Sequence, residues 1–467
     1  MESKYLKDRI GFAKEIVDQL LKKYEYVSIL GKHVYGKSFR IMSSSRAIAD
    51  TMEKTCGFVI KIFHQGIYSE YSFAKLEKDL IPEIVKNVDS NLKVSGKLLE
   101  KHMDLSLLDD EPLVKDFERP TLGREFATDE IMKIGAEFIG AAMQKSDKII
   151  QSGLIIEKYT TNSFFISKNR RLTQSYSWNF VLPIAVVREE ANVKFARKAY
   201  YGNNLEENIK KAQEEGLNVV DDAIAMLKAE RIEPGEYDII THPSITGLIA
   251  HEAFGHGVEM DMFVKHRAKS RLYLNKPVAS SLVSMHDGAA ATYSNASYFF
   301  DDDGVLAQDT LIIDKGILKT GICDVIAANE LKTKATGNSR RESPYRKAYT
   351  RMTNTFFEPG DSNVEDMIKS IKHGYMLFET NNGMEDPKNW NIQCVAEYGK
   401  EIKDGAFTGK IVSPVVMSGY VPDLLMSISA VSKDFEVIGL GHCGKGHKEW
   451  VVVSDGGPYL KARCKLS

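Results

Sequence analysis

Long apolar runs are missing from this 467-residue chain: nowhere do eighteen apolar residues follow one another, which excludes a membrane-spanning helix. The opening residues Met1 to Asp8 carry no apolar stretch of the kind a secretory leader needs. Cysteine is scarce, with five residues and no CxxC pair, so neither a disulfide framework nor a zinc ribbon is expected. Net charge is also nearly absent, at −2, and no global field draws the chain to nucleic acid or to an anionic membrane. The expectation is a cytoplasmic protein in a reducing compartment, with neither membrane nor nucleic acid as partner. With 43% hydrophobic and 27% charged residues, the composition is that of an ordinary globular chain, long enough for two or three domains.

Just past the middle stands His251-Glu252-Ala253-Phe254-Gly255-His256-Gly257, an HExxxH pattern. Two imidazoles can offer neutral nitrogens to a zinc ion, and a carboxylate directly after the first can reach a water on that ion. Upstream, Tyr237 to Thr241 reads as a short strand. Pro243 and Ser244 supply a break and an N-cap, and Ile245, Leu248, Ile249, Ala253 and Phe254 recur at helical spacing. The motif therefore rides on a half-buried helix.

Its spacing departs from the familiar HExxH, in which four positions put both histidines on one helical face. Five steps of about 100° leave two side chains roughly 140° apart on a regular α-helix, too far round to share an ion. A π-type turn would bring them back over one another, and glycines flanking His256 ease such a distortion. The spacing predicts a π-bulge or broken helix at Phe254 to Gly257. Glu259, Asp261 and His266 follow closely, as partners fixing an imidazole tautomer, as a substitute third ligand, or as solvated surface groups.

Among the cysteines, Cys443 stands apart in Gly439-Leu440-Gly441-His442-Cys443-Gly444-Lys445-Gly446. Glycines on both sides suit an exposed, tightly turned loop, with His442 and His447 as spare ligands or loop residues.

Taken together, HEAFGHGVEMD from His251, TGNSRRES from Thr336, RMTNTFFEPGD from Arg351 and CGKG from Cys443 resemble the TldD/PmbA family. The match is to the TldD-like branch, which keeps HExxxH. The resemblance implies a cytoplasmic metallopeptidase with zinc held by His251, His256 and Cys443, Glu252 as general base, and water in the fourth position. That agrees with a catalytic zinc's usual three protein ligands and one open site. It also implies unfolded or extended peptides as substrates, and a dimer either of identical chains or with an inactive paralogue. The rivals are a zinc amidohydrolase acting on small molecules and a non-catalytic regulator of the gyrase-modulator type. Glu252 beside His251 speaks against the second, since a structural zinc needs no free carboxylate. The stretch Asn381 to Asp386 departs from the family's glycine-rich pattern, so substrate preference does not carry over.

The fold class expected is α+β, with three regions. Residues 1–108 read as helix Leu6 to Tyr24, antiparallel strands at Tyr26 to Ile29, Ser38 to Met42, Phe58 to Phe63 and Ile67 to Phe73, then helix Leu76 to Val88. Asp89 to Leu122 is the candidate linker. Residues 109–232 repeat the order: helix Asp129 to Lys148, strands from Leu154 to Val187, and one long helix Leu205 to Lys228, which hints at duplication. Residues 233–467 form a strand-rich domain carrying the motif helix, with strands that include Ala290 to Phe300 and Ile317 to Ile322. Asp314-Lys315-Gly316 and Lys403-Asp404-Gly405 mark hairpin turns. Asp301-Asp302-Asp303-Gly304 reads as a turn, lacking the distal glutamate of a calcium loop. Arg340, Arg341, Arg346, Lys347 and Arg351 are expected at the rim of a cleft.

Overall fold

The computed structural model describes residues 3–51, 54–95, 104–105, 108, 111–445 and 448–467. Its architecture is α+β, with helices and mostly antiparallel strands in the N-terminal half and a strand-rich C-terminal half that carries the motif helix.

Among the described residues the first sheet has nine strands, and its central path runs Ile67–Phe73, Thr55–His64, Tyr26–Met42, Ile149–Ile166, Arg170–Glu189 and Leu113–Glu118. All its pairings are antiparallel except that of Leu113–Glu118 with Arg170–Glu189. The sequence breaks several of these strands in two, because polar residues interrupt the apolar runs. The structure joins them: Tyr26–Met42 is continuous through Lys32, His33 and Lys37, and pairs residue for residue with Ile149–Ile166. The boundary drawn at residue 108 therefore falls between strands of a single sheet. Nor is 89–122 wholly a linker, since helix Ile81–Ser95 runs into it and Leu113–Glu118 lies inside it. The rest of that stretch lies partly outside the described residues. The expected long helix is two, Leu205–Glu215 and Asn218–Met226, broken at Gly216 and Leu217.

Both helix groups cover the same face of this sheet, as strand alternation requires. Ile10–Leu20 and Ile81–Ser95 pack on Val27, Ile29, Phe58 and Phe164, and Thr128–Met143 with the two later helices packs on Phe39, Ile41, Ile156 and Val181. The opposite face turns toward the C-terminal half. There Phe165 and Leu172 meet Phe300, Gln174 donates to the carbonyl of Phe300 at 3.0 Å, and Arg170 donates to that of Gly304 at 2.8 Å. Lys61 pairs with Asp303, and Arg341 with Glu70, across the same boundary.

The second sheet has eleven strands among the described residues. Gly235–Thr241, His373–Asp386, Asn391–Lys403, Val415–Tyr420 and Val451–Leu466 pair in turn, and the last pairs back with the first, so five strands close into a ring. Ala430–Cys443 adds to Val451–Leu466. The expected strand Ala290 to Phe300 is instead irregular, because the Asn354 side chain donates to the carbonyls of Gly288 and Thr292 and to Ser297, replacing ladder bonds. Of Ile317 to Ile322 only Ile317–Leu318 is a strand. Among the described residues no helix is long and apolar enough to cross a membrane.

Candidate metal centre

Strand Gly235–Thr241 runs straight into the motif helix. His242, rather than Ser244, is its N-cap, accepting from the Ser244 amide through Nδ1, with Pro243 in the first turn. After Pro243–Leu248 the backbone becomes a π-helix from Ile249 to Gly255, which starts earlier than the predicted Phe254. The amide of His256 donates to the carbonyl of His251, an i→i−5 bond between the two histidines themselves. Gly255 lies against Met352, where a Cβ would have no room. The result is two imidazoles with ring centres 5.1 Å apart and planes at 87°.

Cys443 reaches the same point from the end of strand Ala430–Cys443 rather than from an exposed loop, and is only 6% exposed. Its Sγ is 3.4 Å from His256 Nε2, and one ligand atom from each of His251, His256 and Cys443 lies within 4.8 Å of the others. Glu252 Oε2 stands 3.8 Å from His256 Nε2. All four sequence-predicted residues thus lie together.

The electrostatics bind the trio together. Burial works against charge on His251, yet the neighbouring Cys443 sulfur outweighs it and pushes the imidazole up to about 9. His256 is raised well above its usual value in the same way, with further help from Glu259. Burial would raise the Cys443 thiol, but the two imidazoles hold it well below its ordinary value, which favours the thiolate form. Two imidazoles and a thiolate, nearly enclosed and with a carboxylate at hand, are a donor set that suits zinc.

Behind these groups lies a layer the sequence did not reveal in full. Glu259, expected near His256, places Oε2 3.5 Å from its Nδ1. Burial opposes ionisation of Glu259, but Lys445, His256 and Arg351 hold its carboxyl well below the usual range. Lys445 bridges Glu259 at 3.1 Å and Asp261 at 2.8 Å. Arg351 approaches Glu259 at 3.3 Å while holding the carbonyls of Cys443 and Glu449. Gly383, in the stretch that departed from the family pattern, is the point where strand His373–Asp386 passes Glu252. A Cβ there would lie 2.5 Å from the Glu252 Cγ. Next along that strand, the Glu385 carboxyl is buried, and burial raises it well above the carboxylate range.

Other candidates lie apart from the trio. His266 is exposed beside Arg271, and His442 is exposed at the strand end, while His447 lies outside the described residues. Asp261 touches Lys445 and Lys265. Of the basic cluster expected at a rim, Arg341 and Arg351 are instead buried in ion pairs. Arg340 lines a cleft, and Arg346 and Lys347 are exposed. Asp301 to Gly304 is a turn.

Residues 234–464 match the PmbA/TldA metallopeptidase C-terminal domain family. A metalloprotease of Methanocaldococcus jannaschii is 26% identical over 414 residues, covering 88% of this chain and 90% of its own. A zinc metalloprotease TldD homolog of Saccharolobus solfataricus is 31% identical over 243 residues, 51% of this chain and 53% of its own. TldE of Thermococcus kodakarensis superposes with a TM-score of 0.76 at 16% identity, over 98% of this chain and 100% of that one, a likeness of fold alone.

Proposed function

The chain belongs to the TldD/PmbA family, and from that membership and the converged trio we propose that it is a zinc-dependent peptidase acting on unfolded or extended polypeptides. The observation that carries this reading is the meeting of His251, His256 and Cys443 at one point with Glu252 beside them. Zinc, when bound there, supplies Lewis acidity to the reaction.

The chain's own residues do the rest. Glu252 accepts a proton from the attacking water at its carboxylate and returns it to the leaving amine nitrogen. Gly383, lacking a Cβ, leaves room for the Glu252 side chain in its present place. His251 and His256 hold their rings crossed, and Glu259 fixes His256 through Nδ1. An extended substrate has a place to lie: strand His373–Asp386 is paired with Gly235–Thr241 only as far as Leu377, so from Phe378 to Asp386 its one strand partner among the described residues is Asn391–Lys403. A peptide added there as a further strand would have its backbone amides satisfied without regard to its side chains.

In this reading the protein works as a dimer, of identical chains or with an inactive paralogue, in the cytoplasm, where a thiolate ligand stays reduced. Metal analysis of the purified protein, paired with a peptide-degradation assay on wild type and Glu252→Gln, tests it. Zinc in both proteins with hydrolysis in wild type alone supports the reading. Hydrolysis undiminished in Glu252→Gln, or no zinc in either, sinks it.

A further inference from the structure

Between the bare face of the first sheet and the C-terminal half lies a cleft of about 710 Å³, counted to its open mouth. None of His251, Glu252, His256 or Cys443 lines it. Val451, the register partner of Cys443, and Val452 form part of its wall, so one pair of strands separates it from the metal centre. Its position between two packed units is one where ligand sites occur.

The wall is polar and incompletely satisfied. Ser339 Oγ, Asn295 Oδ1 and Glu342 Oε2 are buried there without a hydrogen-bond partner among the described residues. Most of its charges are matched: Lys32 lies 3.7 Å from Asp302, and Arg341 pairs with Glu70 and Asp302. Asp301 accepts from the backbone amides of Asp303, Val305 and Ser339. That leaves one cation and one anion. Arg340 has no carboxylate partner among the described residues; it donates to the Met352 carbonyl at 2.7 Å and lies 5.6 Å from the Tyr298 ring centre. Glu342 has no ion-pair partner among them either. Tyr176, Tyr298 and Trp450 supply aromatic surface.

These features select a ligand class. A nucleotide or other polyanion would meet Glu342 as well as Arg340, and a lipid tail would strand the unpartnered groups. We propose that the cleft binds short peptides with free ends, the carboxylate at Arg340 and the ammonium at Glu342, separately from the metal centre. Backbone amides of such a ligand serve Asn295 and Ser339, and an aromatic side chain packs on the tyrosines.

The test is calorimetric binding of an unmodified tripeptide with a central tyrosine, and of its N-acetylated and C-amidated forms, to full-length Glu252→Gln protein. Either cap should weaken binding by at least about tenfold. Arg340→Gln should abolish the effect of amidation alone and Glu342→Gln that of acetylation alone, while Arg340→Lys, which keeps the cation, should retain both. Repeating the titration with a chelator separates this site from the other: unchanged affinity supports the cleft, and affinity lost with the metal overturns it, whatever becomes of the peptidase reading. No binding of the free tripeptide, or cap effects that persist in both variants, overturns it equally.

Discussion

Arg351 donates through Nη2 to the carbonyl oxygen of Cys443 at 2.8 Å. Its Nη1 holds the carbonyl of Glu449 and its Nε approaches Glu259, so one buried guanidinium fastens both ends of the segment after the thiolate and the carboxylate that steadies His256. Arg351→Lys keeps the charge but not the fork. Metal affinity, measured by competition with a chelator, should fall about 10- to 100-fold.

Glu252→Gln removes the proton carrier and leaves the three donors in place. Hydrolysis should drop by roughly 10²- to 10⁴-fold with metal content unchanged.

Gly383→Ala places a methyl 2.5 Å from the Glu252 Cγ and 3.0 Å from Leu248 Cδ1. The softer neighbour is the Glu252 side chain, which must swing away. Turnover should fall about 10²-fold for a displacement on the order of 1 Å, at normal metal content. Steady-state kinetics beside elemental analysis would show it, and a fully active variant would mean that Glu252 needs no such room.

Acid should loosen the contact between the two halves. Burial disfavours a charged Glu70, but Lys61 and Arg341 outweigh it and hold the carboxyl down to about 2. A folded value below the unfolded one of about 4.3 makes the contribution full above that pH and lost as pH falls toward 2, about 3 kcal/mol in all. Urea midpoints of wild type should decline through this window more steeply than those of Glu70→Gln.

The converging trio was far more legible than its support. Five steps between histidines, with glycines around the second, sufficed to predict a π-bulge or a broken helix, because helical geometry is local, and the structure shows the π form. Arg341 and Arg351 were misplaced at a rim because charged residues are usually exposed. Their burial rests on Glu70 and Glu259, far away in sequence, and on backbone carbonyls that no spacing reveals. Strand Tyr26–Met42 was split for a related reason: Lys32 and Lys37 look like a break, yet Lys32 reaches Asp302 and Lys37 reaches Asp50.

Between His251 and His256 the π-helix accommodates one residue more than an α-helical pair of ligands requires. Deleting Ala253 would bring the familiar four-step interval back, but everything C-terminal would be rephased by about 100° around the helix axis. Glu259 would then leave the side of His256, and with it would go the anchorage that Lys445 and Arg351 find there. The supernumerary residue is thus a phase adjuster, and evolutionary shortening of the motif would need a matching insertion before Glu259.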